Sequence, residues 1–280
     1  MATIIGVHGI GKYRYYQEAG NSVAGAAEAM RVKWDRYLHA GLHPGVPHGG
    51  ERYVTEVAYY AHHLIRPERG KARAQAMDAE SQRVLVEWAA QLEGVREAAG
   101  ESLTGALRWA TEWLLGRLEG RAAQFAAMFA PEMAAYLESA NAPARARSRQ
   151  AVAETIRRRK PQVVIAHSLG SVVAYETLHA NPDLRVELLI TLGSPLGMRN
   201  VVFERLLPAP LAGRGGRPPG VTRWVNIADS HDIAAIPPAL RALFTGVEHD
   251  GLVDLDWIDF HTVRKYLGCG ALTPFLKPYL

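Results

Sequence analysis

Short apolar runs of strand length alternate with helix-patterned segments along this chain. A helical stretch around Glu18–His39 separates the first two runs and is long enough for a crossover between parallel strands. The pattern predicts an α/β protein with a mostly parallel sheet of about five to six strands and helices on both faces. The predicted strands are Thr3–Val7, Arg52–Tyr59, Gln162–Ala166, Glu187–Leu192 and Thr222–Ala228.

The segment from residue 66 to residue 159 does not fit this alternation. It contains no convincing strand and is far longer than a crossover helix requires. We expect a helical insertion within one domain that spans residues 1–280, and its role is open between a layer packed on the sheet, a cap or mobile lid, and a membrane-inserted element. Its apolar residues at helical spacing are Leu103, Leu107, Trp109, Ala110, Trp113, Leu114, Leu118, Phe125, Met128 and Phe129.

Two shorter segments have the composition of turns. Residues 208–220 are rich in proline and glycine, which predicts a mobile surface loop between two strands. Residues 247–253 place Asp-Gly between two short apolar runs, which predicts a β-hairpin.

Composition limits the class of protein. Of 280 residues, 48% are hydrophobic and 21% are charged, so the chain can form a sizeable core and is not disordered, collagen-like or a disulfide scaffold. The single cysteine, Cys269, cannot form an internal disulfide, which is compatible with a cytoplasmic location. The first strand begins almost at Met1 and no apolar run has the length of a membrane span, so we expect neither a signal peptide nor a transmembrane segment.

The net charge of +4 does not indicate a nucleic-acid partner. The densest basic cluster, Arg145–Lys160, lies on a helical stretch without the interleaved aromatic residues that stack on bases. We interpret it as a solvated helix face.

The most informative stretch runs from Val163 to Tyr175. An apolar strand ends at Ser168, and a helix that begins with small residues follows at once. The pattern is G-x-S-x-G with Ala166 in the first position, and it is typical of a strained strand-to-helix turn that presents a nucleophilic serine. The alternative is a serine that only caps the helix.

Two further turns complete a family resemblance. His8-Gly9-Ile10-Gly11 follows the first strand, and Leu192-Gly193-Ser194-Pro195 follows the strand after the serine. With Ala166-His167-Ser168-Leu169-Gly170, they resemble the α/β-hydrolase superfamily on its lipase and esterase side. The resemblance covers most of the chain outside residues 66–159, and it implies a trimmed sheet because two usual leading strands have no room before Thr3.

The resemblance implies a catalytic triad in the chain order serine, acid, histidine. Asp232 is the expected acid, since Asp232-Ile233-Ala234 occupies the place of the Asp-Pro-Val-Ala often found in lipases, and Asp229 is the alternative. His261 is the expected base because it matches the late loop histidine of the family, and His249 is the alternative.

The same resemblance assigns the oxyanion hole to the backbone N–H groups of Ile10 and Leu169. Both residues follow strands of a parallel sheet, so their loops should meet at its carboxyl edge. His8 and His167 flank this expected pocket, and we interpret both as structural.

A rival motif overlaps the first loop. Residues 6–13 satisfy G-x-x-x-x-G-K of a phosphate loop, but Tyr13 stands where a serine or threonine would hold magnesium. Neither Val163–Ala166 nor Glu187–Leu192 ends in a metal-binding aspartate. His62-His63 and the late aspartates lack a zinc or calcium spacing, so we expect no metal and no cofactor.

The sequence therefore predicts a serine hydrolase that cleaves carboxylic esters through an acyl-enzyme. Thioesters, amides and acyl transfer use the same groups and stay open, as does a non-catalytic interaction protein with a hydrolase fold. The expected partner is a small-molecule or lipid-like acyl ester. Peripheral membrane contact and the oligomeric state are open.

Overall fold

The computed structural model describes residues 1–49, 53–64, 78–91, 121–255 and 261–280, and for residues 121–126 it describes the helical backbone alone. The predicted apolar helical positions of the long insertion fall largely outside this description. Those outside are Leu103, Leu107, Trp109, Ala110, Trp113, Leu114, Leu118 and the side chain of Phe125.

The described strands are β1 (Ala2–Val7), β2 (Tyr53–Ala58), β3 (Val163–His167), β4 (Val186–Leu192), β5 (Gly215–Gly216), β6 (Val221–Asp229), β7 (Phe244–Thr245) and β8 (His249–Val253). Six of them form one sheet in the order β2-β1-β3-β4-β6-β8, and every pairing in it is parallel. The predicted α/β class with a mostly parallel sheet is confirmed. Two short strands, β5 and β7, pair with each other outside this sheet.

Helices connect the strands. Short 3₁₀ turns cover Ala61–His63, Pro195–Gly197, Phe203–Arg205 and Lys277–Tyr279. No described helix combines the length and the apolar character needed to cross a membrane. The described α-helices are α1 (Tyr13–Glu18), α2 (Val23–Leu42), α3 (Ala79–Ala89), α4 (Arg121–Leu137), α5 (Pro143–Arg159), α6 (Leu169–Ala180), α7 (Val263–Gly268) and α8 (Thr273–Leu276).

Local signals in the sequence fix several helix ends. The Ser22 hydroxyl accepts the Gly25 N–H at the start of α2, and the Asp78 carboxylate accepts the Ser81 N–H at the start of α3. α5 begins with a proline, and it ends where Lys160 adopts a left-handed conformation with φ of 46°.

The apolar strand residues alternate between two cores, one on each face of the sheet. Ile4 of β1 and Ile165 of β3 face a core that includes Trp34 of α2. Val7 and Val164 face the opposite core, which also contains buried residues of α3, α4, α5 and α6. Both faces of the sheet are therefore covered, as parallel sheets require.

The predicted hairpin at residues 247–253 is wrong. Residues 249–253 form one extended strand, β8, which pairs in parallel with β6. Asp250 does not turn the chain, because its carboxylate accepts the Asn226 side-chain amide and the backbone N–H groups of Leu240 and Arg241. Gly251 allows close packing, since a Cβ there would lie 2.8 Å from Ile227 Cδ1.

Candidate active site

The loops that carry the predicted site residues leave the sheet at one edge. All strand pairings in the main sheet are parallel, so its carboxyl ends lie together. β1 and β3 are direct neighbours, with Val7 paired to Ala166. The loop after β1 therefore lies beside Ser168, which follows β3.

Ser168 occupies a strained backbone conformation between β3 and α6. Its φ of 56° and ψ of −133° fall in a region that residues with a Cβ atom rarely adopt. The Ser168 N–H donates to Leu192 O at 3.0 Å, and its carbonyl accepts the Ser171 N–H at 2.9 Å. The turn matches the strained strand-to-helix connection that the sequence pattern indicates.

Two glycines allow this turn to pack against the loop after β1. A Cβ at Gly170 would lie 2.3 Å from the carbonyl oxygen of Val7, and a Cβ at Gly9 would lie 2.5 Å from Ser168 Cβ. Both distances are shorter than atoms can approach. The small residues around Ser168 are thus required by the close contact between the two loops.

The Ser168 side chain does not cap the helix that follows it. No capping hydrogen bond forms at the start of α6, and the buried Oγ has no hydrogen-bond partner among the described residues. The interpretation of Ser168 as a simple helix cap is therefore not supported.

Asp232 and His261 form a buried hydrogen-bonded pair. His261 Nδ1 lies 2.8 Å and 2.7 Å from the two carboxylate oxygens of Asp232, and the side chains are 5% and 0% exposed. A carboxylate oxygen accepts hydrogen bonds, so Nδ1 is the donor in this contact and Nε2 is the ring nitrogen left for another partner.

The Asp232 carboxylate is itself held by two further donors. The Ala234 N–H donates to Oδ1 at 2.9 Å, and the Tyr266 hydroxyl donates to Oδ2 at 2.7 Å. The same hydroxyl accepts the Asp229 N–H at 2.9 Å. Burial and the nearby carboxylates raise the pKa of Tyr266 far above its ordinary value, so its hydroxyl stays a donor.

The two alternative residues lie elsewhere. Asp229 ends β6, and its Oδ1 accepts the His231 N–H at 3.0 Å, so it braces the loop that carries Asp232. His249 begins β8, opposite Val225 in the register, with its ring 4.9 Å from that of Phe275. It therefore lies toward the amino end of its strand, away from the edge that carries Ser168.

His261 lies close to the strand end that leads into Ser168. The His261 and His167 rings are 4.7 Å apart, and His167 directly precedes the serine. No hydrogen bond joins Ser168 Oγ to His261 in this conformation. The structure thus brings the predicted serine, histidine and aspartate to one edge of the sheet. The Asp232–His261 hydrogen bond is present, whereas Ser168 and His261 are not hydrogen-bonded to each other.

The two flanking histidines are neutral and buried. His8 donates from Nδ1 to Gly9 O at 2.8 Å and accepts the Tyr60 N–H on Nε2 at 3.1 Å. Burial lowers the pKa of His8 to about 3 and lowers that of His167 well below its ordinary value. Neither ring is suited to take up a proton at neutral pH.

The backbone N–H groups of Ile10 and Leu169 lie on the two adjoining loops. Leu169 is the first residue of α6, where N–H groups have no partner within the helix. Among the described residues, neither amide donates to a backbone acceptor. The helix dipole favours negative charge near the Leu169 N–H.

A carboxylate from α4 holds the loop after β1. The Gly11 N–H lies 3.1 Å and 3.0 Å from the two oxygens of Glu132, and the Tyr59 hydroxyl donates to Lys12 O at 2.9 Å. In a phosphate loop the amide at the position of Gly11 would face a phosphate. Here it faces a side-chain anion of the protein.

One group of residues within the described ranges has the spacing of metal ligands. Asp229, His231 and Asp254 each offer an atom within 4.8 Å of the others. Asp254 is 78% exposed, and Asp229 Oδ1 already accepts the His231 amide.

Two surface cavities, of about 650 and 510 Å³, lie at the opposite edge of the sheet from Ser168. They are bordered by the amino ends of β1, β3, β4 and β6. Neither contains a predicted site residue.

Two residues at the site were not predicted from the sequence. Tyr266 is near His261 in the chain, but its bond to Asp232 spans 34 positions. Glu132 contacts a residue 121 positions away, and its only sequence signal is that it is the single acidic residue of α4.

Comparison with family models, with curated proteins and with solved structures produced no match.

Proposed function

We propose that this protein is a serine hydrolase that cleaves carboxylic esters. The observation that carries the proposal is the buried Asp232–His261 hydrogen bond at the sheet edge where Ser168 occupies a strained turn. The strand order and the placement of these loops are compatible with a trimmed α/β-hydrolase fold. Residues 66–159 are then an insertion within a single domain, and we expect the protein in the cytoplasm.

In the proposed reaction, Ser168 Oγ attacks the ester carbonyl while His261 Nε2 accepts the hydroxyl proton. Asp232 stabilises the resulting imidazolium and holds the ring in the required tautomer. The N–H groups of Ile10 and Leu169 donate to the oxyanion. His261 then protonates the leaving alcohol, and a water activated by the same ring releases the acid and frees Ser168.

The Ser168 hydroxyl must turn toward His261 for this reaction to begin. Its Oγ makes no competing hydrogen bond to a described residue, so rotation about the Cα–Cβ bond breaks no such contact. Catalytic hydrogen bonds are often long or unformed before substrate binds and shorten in the complex.

The proposed substrate is an acyl ester with an apolar acyl group. Apolar side chains lie beside Ser168 at this edge, among them Ile10 and Leu169, which are 6% and 0% exposed. Thioesters, amides and acyl transfer to another acceptor remain assayable alternatives, because the same groups serve them.

We expect Ser168→Ala to lower the turnover of p-nitrophenyl butyrate by at least about 10³-fold, because the acyl-enzyme can no longer form. The same substitution should abolish covalent labelling by a fluorophosphonate, measured by mass spectrometry of the intact protein. Ser230→Ala, which changes an exposed serine at the same sheet edge, is the matched control and should keep both signals.

Unchanged ester turnover in pure Ser168→Ala protein would contradict the proposal. A wild-type protein that neither turns over esters nor reacts with the probe would favour the non-catalytic interaction protein. Stabilisation by ATP in a thermal melt would instead favour nucleotide binding at the Gly6–Lys12 loop.

A further inference from the structure

Glu132 contacts one of the two segments that carry the proposed oxyanion donors, the loop after β1. Its two carboxylate oxygens accept the N–H of Gly11 at 3.1 and 3.0 Å. Gly11 directly follows Ile10 and has a φ of +72°. This hydrogen bond restrains the Ile10–Gly11 peptide. It thereby limits rotation of the preceding Gly9–Ile10 peptide, whose N–H is the proposed oxyanion donor.

Glu132 is an unusual residue for its surroundings. α4 is otherwise apolar beyond its first turn, and Glu132 is buried within it at 7% exposure. Burying a carboxylate is unfavourable unless hydrogen bonds or an opposite charge compensate. The bond to Gly11 supplies part of that compensation.

The charge of Lys12 also favours the contact between Glu132 and this loop. Burial lowers the pKa of the Lys12 ammonium, and the negative charge of Glu132 opposes that shift. Glu132 therefore attracts the loop at two consecutive residues, Gly11 through a hydrogen bond and Lys12 through its charge.

Two more contacts restrict the same loop. Met128, one turn before Glu132 on α4, places Sδ 3.3 Å from the point that a Cβ atom at Gly11 would occupy. On the other side, the Tyr59 hydroxyl at the end of β2 donates to Lys12 O. The loop is thus held between β2 and α4, and α4 supplies two of its contacts.

We propose that Glu132 is a positioning residue for the oxyanion loop and that α4 thereby sets whether the site is competent. This inference rests on the proposed hydrolase function and deepens it. An oxyanion donor acts only when its N–H lies within about 2.7–3.1 Å of the developing charge, so a small rotation of the loop removes its effect. Displacement of α4 would then switch the site off while leaving Ser168, His261 and Asp232 in place.

The test compares Glu132→Leu with Glu132→Gln. Leucine removes the acceptor, whereas the glutamine carbonyl keeps one for the Gly11 N–H. We expect kcat for p-nitrophenyl butyrate to fall about 10- to 100-fold for leucine and about 2- to 5-fold for glutamine, with KM nearly unchanged. Affinity for a trifluoromethyl ketone inhibitor, which binds as an oxyanion, should fall in the same proportion as kcat.

Activity measured well below the Tm separates positioning from a merely structural role. Glu132→Leu leaves the Gly11 N–H without its acceptor and the Lys12 ammonium without the adjacent negative charge, so we expect its Tm to fall. At a temperature where the variant is fully folded, a positioning role still predicts a lower kcat and a weaker inhibitor affinity with KM nearly unchanged. Glu154→Gln, an exposed change on α5, is the matched control and should leave kcat and Tm unchanged.

Different outcomes would contradict the role of Glu132 and the proposed hydrolase function. Wild-type kcat and inhibitor affinity in Glu132→Leu, alongside loss of activity in Ser168→Ala, would overturn the role of Glu132 and leave the hydrolase proposal intact. Should Glu132→Leu fail to fold, Glu132→Met, which also removes the acceptor, takes its place, and wild-type kcat and inhibitor affinity in that variant would overturn the role equally. Full activity in Ser168→Ala would overturn both.

Discussion

At the scale of single residues, Tyr266 stabilises the acid that orients the histidine. Its hydroxyl and His261 Nδ1 share the same oxygen of Asp232, at 2.7 Å each. We expect Tyr266→Phe to lower kcat about 3- to 30-fold, because a hydrogen bond to a charged group contributes about 1.5–3 kcal/mol, of which only part is specific to catalysis.

The pH profile distinguishes this role from general packing. With one donor lost, the Asp232 carboxylate holds the proton on His261 more strongly, so the acid limb of kcat/KM should move to higher pH. Tyr37→Phe, on α2, is the control and should leave the profile in place. An acid limb at the same pH in both variants would show that Tyr266 only fills space.

At the scale of elements, a buried ion pair joins α4, α5 and α6. Arg145 Nε donates to Glu176 Oε2 at 2.9 Å, and the Tyr136 hydroxyl donates to the same oxygen at 2.8 Å. The Arg145 and Glu176 side chains are 2% and 0% exposed. The Leu207 N–H also donates to this carboxylate, so one anion connects three helices and a loop.

We expect Arg145→Met to lower the free energy of unfolding by about 3–5 kcal/mol, because it leaves the Glu176 charge buried without its partner. Adding Glu176→Met should recover part of this loss. Urea unfolding measures both effects. Arg147→Met, which changes an exposed arginine of the same helix, should stay within about 0.5 kcal/mol of the wild type. A double variant no more stable than the single one would contradict the argument.

The elements also show where sequence patterns are informative. The five predicted strands are present with shifts of at most one residue at their ends, because buried parallel strands produce uninterrupted apolar runs. One predicted end, Arg52, lies outside the described residues. β8 was predicted as a hairpin because Asp250-Gly251 is locally a strong turn signal. Tertiary contacts stabilise an extended strand instead, since the Asp250 carboxylate accepts the N–H groups of Leu240 and Arg241 in the adjoining loop.

At the scale of the whole molecule, buried neutral histidines couple stability to pH. Burial lowers the pKa of His8 to about 3, against about 6.5 in an unfolded chain. Below pH 6.5 the unfolded chain therefore binds a proton that the folded protein does not. Stability is complete above that pH and falls as the pH drops toward 3, by about 2 kcal/mol at pH 5 from His8 alone.

His167 acts in the same direction, because burial also lowers its pKa. Urea unfolding at pH 7 and pH 5 should show a smaller loss of stability for His8→Gln than for the wild type, since glutamine keeps an acceptor for the Tyr60 N–H without a proton to bind. His43→Gln, at the exposed end of α2, is the control. An equal loss in all three proteins would be inconsistent with a neutral, buried His8.

Long-range contacts mark the limit of sequence reasoning about the site. The serine turn could be predicted because it depends on a local pattern at the carboxyl edge of a parallel sheet, whereas Asp232 and His261 were predicted from the family resemblance. The roles of Glu132 and Tyr266 could not, because each depends on an element that approaches from a distant part of the chain. These contacts are determined by how distant elements pack together, and no residue spacing in the sequence indicates them.

The contact between Glu132 and Gly11 also constrains how this protein can be re-engineered. β1 and β3 pair directly, so the strand order does not depend on the stretch between β2 and β3, but Tyr136 and Arg145 within that stretch bond to the buried Glu176. A replacement that kept these two residues and lacked an acceptor for the Gly11 amide would leave the first loop misaligned. A graft made for a new specificity must therefore carry over the carboxylate of Glu132 together with these two residues.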